Sequence, residues 1–159
     1  EQNFARFGRY LAEAITDLSA DLDKDGQVSL LESFLTGAGR VEEFYETEGR
    51  LATEHPLLDD NGDGRGTPPD WFRGVRAVKK TADGTAPDGL RAHQFHLVRS
   101  VAEKDLSPAI RSRRDTLEIA IAKLRDAKDK ISEDDYYRQL EAILIELATL
   151  YSKTEAPSK

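Results

Sequence analysis

Apolar residues at Phe4, Phe7, Leu11, Ile15 and Leu18 recur at intervals of three and four, which sets them on one face of a helix and predicts a first amphipathic helix. Leu31, Phe34 and Leu35 begin a second helix, and Thr36-Gly37-Ala38-Gly39 predicts a break after it. Val41, Phe44, Tyr45 and Leu51 give a third stripe that Pro56 shortens or kinks. Trp71, Phe72, Val75 and Val78 predict a fourth helix, followed by a polar loop from Thr81 to Gly89 and a further helix through Leu90, Phe95, Leu97 and Val98. Ser107-Pro108 is an N-cap and first-turn pair that opens a helix whose face runs through Leu117, Ala120, Ile121, Leu124 and Ile131. Ser132 with Asp135 starts the last helix, where Tyr136, Leu140, Ile143, Leu144, Leu147, Leu150 and Tyr151 form the strongest stripe of the chain. Two long helices joined by a tight turn predict an antiparallel hairpin, and Thr154 to Lys159 reads as a frayed tail.

The 159 residues suit one ordinary domain, or a small domain with an appended hairpin. No apolar run reaches the roughly 18 residues that cross a bilayer, so no membrane is expected as a partner, and Glu1-Gln2-Asn3 lacks the features of a signal peptide. The chain has no methionine, even at position 1, which suggests a processed or excised piece of a longer protein. The absence of cysteine excludes disulfides, thiolate metal sites and cysteine nucleophiles together.

Charge changes the picture more than composition does. Residues 21–32 hold four acids and one lysine, and residues 59–70 hold four acids and one arginine, so the two segments carry -6 of the net -7. Acid concentrated in two short loops of an otherwise balanced chain points to cation sites. In the first loop Asp21, Asp23 and Asp25 supply carboxylates at positions 1, 3 and 5, and Gln27 offers its backbone carbonyl at 7. Ser29 stands at position 9, Glu32 can bind through both oxygens at 12, and Gly26 allows the sharp turn at 6. Calcium, a hard cation taking six to eight oxygens, is the ion this spacing serves. In the second loop Asp59, Asn61 and Asp63 occupy positions 1, 3 and 5, Arg65 gives a carbonyl at 7, Thr67 stands at 9 and Asp70 at 12. Asp70 is shorter than the usual glutamate, which weakens calcium and favours smaller ions. Pro68 and Pro69 fit only at the opening of an exiting helix.

Asp21 to Glu32, flanked by two helical stripes, resembles an EF-hand, and the loops start 38 residues apart, the separation of a paired EF-hand in which Val28 would pair with the second loop. The second loop is also similar to dockerin repeats, although full entering helices argue against a dockerin proper. The expected fold class is therefore all-α: an EF-hand pair over residues 1–80, then a helical segment and a C-terminal antiparallel hairpin over residues 81–159, packed as one unit with the first. Gln2-Asn3-Phe4-Ala5-Arg6-Phe7-Gly8, the run from Leu57 to Gly64 and the basic helical tail resemble the C-terminal region that follows a legumain-like (C13-type) peptidase domain in bacterial extracytoplasmic proteins. That resemblance implies a region that scaffolds or regulates, with any catalytic histidine and cysteine upstream of Glu1.

Trp71 to Arg114 holds ten basic and four acidic residues, but without a recognition motif this reads as a solvated basic face, and no nucleic acid is expected. His93 and His96 stand at i and i+3 without an HExxH pattern and read as packed or surface histidines, and His55 has no evident partner. No nucleophile elbow or phosphate loop is present, and the clustered carboxylates belong to the two loops, so no enzyme is expected. Three roles remain: a structural calcium module of an extracytoplasmic protein, a calcium sensor or adaptor with a protein partner, and an accessory region of a larger peptidase. Sensor grooves tend to be rich in methionine, and this chain has none, which favours the structural role.

Overall fold

The computed structural model describes residues 5–82 and 84–152. Phe4, at the start of the first predicted stripe, and the tail from Thr154 to Lys159 lie outside the described residues. The protein is mostly helical with two small two-stranded sheets, so the expectation of an all-α chain is corrected to a helical one with short strands. It divides into two compact units, Glu1–Ser100 and Val101–Lys159. The boundary lies beyond residue 80 because the segment before Ser100 supplies a strand to the first unit.

In the first unit, helix α1 (Arg6–Ile15) leads through a 3-10 turn (Leu18–Ala20) and the first acidic loop into strand β1 (Val28–Ser29) and helix α2 (Leu30–Thr47). The predicted break at Thr36 to Gly39 does not occur. Gly37 instead lies against the backbone of α1, where an added Cβ would stand 3.0 Å from Leu11 N, so glycine here lets two helices approach closely. The chain stops helix α2 later, at Gly49. There Arg50 N donates to Tyr45 O at 2.9 Å and Gly49 N to Glu46 O at 3.0 Å around a glycine at φ 61°, the Schellman arrangement. Helix α1 has no side-chain cap of its own at Ala5. Glu54, from the segment beyond α2, accepts the Phe7 amide at 2.9 Å and the Tyr45 hydroxyl at 3.3 Å. Partial burial opposes ionisation of Glu54, yet these bonds, led by the Phe7 amide, lower its pKa overall.

The core of this unit joins Leu31, Phe34, Leu58 and Ala92, with Phe7, Leu11 and Phe72 packed around it. Leu31 is fully buried, a placement that contributes about 1.5–3 kcal/mol relative to exposure. The helix expected from Trp71 to Val78 is instead a hairpin of β2 (Phe72–Arg73) and β3 (Arg76–Ala77), turning at Gly74-Val75. The helix expected from Leu90 to Val98 ends early: α3 (Leu90–Gln94) gives way to strand β4 (His96–Val98), which pairs antiparallel with β1. Val28 therefore meets Val98 and not the second loop, as the EF-hand pair had required.

In the second unit, α4 (Val101–Asp105), α5 (Pro108–Asp126) and α6 (Glu133–Ser152) follow one another, and α5 packs on α6 as the expected hairpin. Ser107 caps α5 by accepting the Ile110 amide at 3.3 Å, and Ser132 accepts the Asp135 amide at 3.1 Å. Glu103 and Arg114 form a buried pair linking α4 to α5, with bonds at 2.5 and 3.0 Å. Burial opposes the Arg114 charge, but the hydrogen bonds it donates to Glu103 and Asp115 outweigh it and hold its pKa above the ordinary value.

Candidate metal centre

The first loop runs from the 3-10 turn after α1 into the first turn of α2. Oxygens of Asp21, Asp23 and Asp25 converge within 4.8 Å of one another. The backbone folds around them: Gly26 N donates to Asp21 Oδ2 at 3.1 Å, Asp25 N to Asp23 Oδ1 at 3.2 Å, and Gln27 N to Asp25 Oδ1 at 2.8 Å. Gly26 takes φ 80°, as the turn requires. Glu32 closes the loop from α2. Its Oε1 accepts the amides of Leu22 at 2.8 Å and Asp23 at 3.4 Å, and its Oε2 accepts the Ser29 amide and hydroxyl, both at 2.8 Å. Ser29 Oγ accepts the Glu32 amide in return, completing a capping box at the start of α2.

Glu32 is 1% exposed, and its four donors are neutral groups. A buried carboxylate ordinarily has a cationic partner or a metal. The donor set, all oxygen and rich in carboxylate, fits a hard divalent cation such as calcium, with Asp21, Asp23, Asp25, the Gln27 carbonyl and Glu32 as the residues that would hold it. Ser29 is fully buried, with its hydroxyl on Glu32.

Two histidines stand beside this loop, a placement that spacing along the chain had not signalled. His93 Nε2 lies 2.9 Å from Asp23 Oδ2, and His96 Nε2 lies 3.4 Å from the Gln27 side-chain nitrogen and 3.9 Å from Asp25 Oδ2. The β1–β4 pairing brings them there, with Leu30 N donating to Phe95 O at 2.9 Å.

The second loop is organised in the same way but framed differently. Leu58 and Thr67 pair across its base, with Leu58 N donating to Thr67 O at 3.0 Å and Thr67 N to Leu58 O at 2.7 Å. A segment outside any helix or strand precedes it, and a 3-10 turn (Pro69–Trp71) follows where an exiting helix was expected. Gly64 N donates to Asp59 Oδ2 at 3.0 Å, Asp63 N to Asn61 Oδ1 at 2.8 Å and Arg65 N to Asp63 Oδ1 at 2.8 Å. Gly66 abuts Leu57, whose Cβ would lie 2.5 Å from an added Cβ, so position 8 has no room for the apolar side chain usual there. Asp70 is turned to Lys79 Nζ at 2.5 Å, with two-thirds of its side chain exposed. Thr67 is buried, and its hydroxyl donates at 2.8 Å to Asp88, a residue that the sequence reading had not singled out.

No family model, curated protein or solved structure matches the chain.

Proposed function

We propose that this protein is a calcium-binding, non-catalytic helical domain in which calcium is a structural ion. The observation that carries this reading is the convergence of Asp21, Asp23 and Asp25 within 4.8 Å at a loop closed by the buried Glu32. Like charges held this close repel one another, and a divalent cation between them turns that repulsion into attraction. Because the loop joins α1 to α2, the ion ties together two helices whose packing includes the Phe7–Phe34 ring contact at 5.8 Å. The second loop, with Asp59, Asn61, Asp63 and the Arg65 carbonyl, is a second calcium site of the same kind. On this reading the protein is the EF-hand of α1, loop and α2 joined to a calcium loop without flanking α-helices.

A structural ion suits an extracytoplasmic setting, where calcium is always plentiful. Any catalysis would belong to other parts of a parent protein. Tyr137, Leu144 and Ile145 of α6 remain exposed, and a protein partner or a neighbouring domain of the parent chain would meet the protein there.

The test is Asp21→Ala combined with Glu32→Ala. Calcium titration of this variant is expected to lose the first site, with a lower melting temperature in calcium. An unchanged titration would overturn the assignment.

A further inference from the structure

The second loop lacks its twelfth-position ligand in the place where the chain order puts it, because Asp70 is engaged by Lys79 at 2.5 Å. We propose that Asp88, from the turn before α3, is the closing calcium ligand of this loop, supplied from 21 residues beyond Thr67. The inference rests on the calcium reading above and deepens it.

In the first loop Glu32 sets the pattern. Its two oxygens accept the amide of loop position 2, Leu22, at 2.8 Å and the hydroxyl of position 9, Ser29, at 2.8 Å. Its own amide donates back to that hydroxyl at 3.2 Å. Asp88 makes the same three bonds in the second loop. Its Oδ1 accepts the amide of position 2, Asp60, at 3.1 Å, its Oδ2 accepts the hydroxyl of position 9, Thr67, at 2.8 Å, and its amide donates to Thr67 Oγ1 at 3.0 Å. Asp88 thus bears the same relation to its loop as Glu32 does, although the two reach these positions by different routes along the chain.

Burial gives an independent reason. Asp88 is 3% exposed, and the groups donating to its carboxylate, an amide and a hydroxyl, are both neutral. A carboxylate taken out of water without a basic partner is costly unless a metal ion supplies the positive charge. Glu32 shares this condition, and the two residues share it at matching places.

Other contacts hold Asp88 in position. Asp60 Oδ2 accepts the amides of Gly89 at 3.0 Å and Ala92 at 2.8 Å, pinning the start of α3 to the loop. Gly89 lies at φ 117°, and an added Cβ would stand 2.6 Å from the Phe72 ring, so the turn that carries Asp88 passes close over the core. The site becomes a calcium loop closed in space by a residue from another segment.

The structure also supplies a reporter. Trp71, the sole tryptophan, lines a cavity of about 400 Å³ together with Asp63, Thr67 and Asp88. Terbium, a luminescent calcium substitute, is therefore expected to be sensitised through Trp71 when it occupies the second loop. The experiment uses the full chain stripped of metal, titrated with calcium by calorimetry and with terbium by tryptophan-sensitised luminescence. Wild type and Asp70→Asn are expected to bind two calcium ions with the same sensitised signal. Asp88→Asn is expected to retain the first site unchanged, which shows that it is folded, and to bind terbium at the second more weakly by a factor of at least about 10–100, the loss typical of removing even an outer partner of a metal ligand. Wild-type behaviour in Asp88→Asn, or loss of the second site in Asp70→Asn, would overturn the assignment. One bound calcium in wild type, abolished by Asp21→Ala with Glu32→Ala, would overturn the role of Asp88 and leave the first site standing. No bound calcium at all would overturn both.

Discussion

Replacing Glu32 by glutamine separates the helix-capping role of this buried side chain from the calcium-binding role proposed for it. The amide keeps the shape and one acceptor oxygen, but its NH2 group must face either the Leu22 and Asp23 amides or the Ser29 donors. Two donors then lose an acceptor, at about 1 kcal/mol each, against which the variant recovers part of the cost of burying a charge. The metal-free protein is expected to lose about 1–2 kcal/mol, which for a unit of this size lowers the melting temperature by roughly 5–15 °C. The calcium-dependent gain is a separate quantity. At a calcium concentration 100 times the dissociation constant it amounts to about 2.7 kcal/mol, or roughly 10–20 °C. A glutamine at the closing position cannot bind the ion through two anionic oxygens; if affinity falls by about 100-fold, the same calcium adds only about 0.4 kcal/mol. The assay is a circular dichroism melt of each protein in chelator and in calcium. Ser29→Ala is the control, because it breaks the capping box, at about 1 kcal/mol, but leaves Glu32 in place and is expected to keep most of the calcium-dependent gain. Equal gains in wild type and Glu32→Gln would refute the reasoning, since Glu32 would then serve only as a helix cap.

Two further predictions concern the scaffold. Arg114→Ala, which removes the buried Arg114–Glu103 pair from the second unit, is expected to cost about 3–5 kcal/mol, read as a shift of the urea midpoint; a change below about 1 kcal/mol would show that solvent reaches the pair. Asp17 has its pKa lowered to about 2, first by the Ser19 amide and hydroxyl and then by Arg40. Because the folded value lies below the ordinary 3.8, its contribution is complete above about pH 4 and is lost as the pH falls toward 2. The stability difference between wild type and Asp17→Asn should therefore shrink over that window, and a difference independent of pH would contradict it.

What could be read along the chain was whatever is local. The first loop is encoded within twelve consecutive positions, and the carboxylates of Asp21, Asp23 and Asp25 converge where their spacing predicts. The caps of α5 and α6 are equally local, and the structure places them at Ser107 and Ser132. The strands are only two or three residues long, too short to carry a period-two signal, so Phe72 and Val98 passed for helical stripe. The glycines misled for a related reason. Gly37 looked like a breaker but serves a helix crossing, while Gly49, within a polar run, ends the helix. Asp88 could not be found by spacing at all, because its relation to Thr67 depends on how the turn before α3 folds back over the core. The one available signal was an acid at Asp88 followed by glycine just before the mixed segment Leu90 to Gln94, which is common in loops without any ion.

Whether calcium holds this protein together is decided by calorimetric titration of the metal-stripped chain, run beside circular dichroism with and without the ion. Saturable binding is expected, with a gain in helix content or melting temperature that Asp21→Ala with Glu32→Ala removes. Absence of any calcium-dependent heat or stabilisation at millimolar calcium would contradict it.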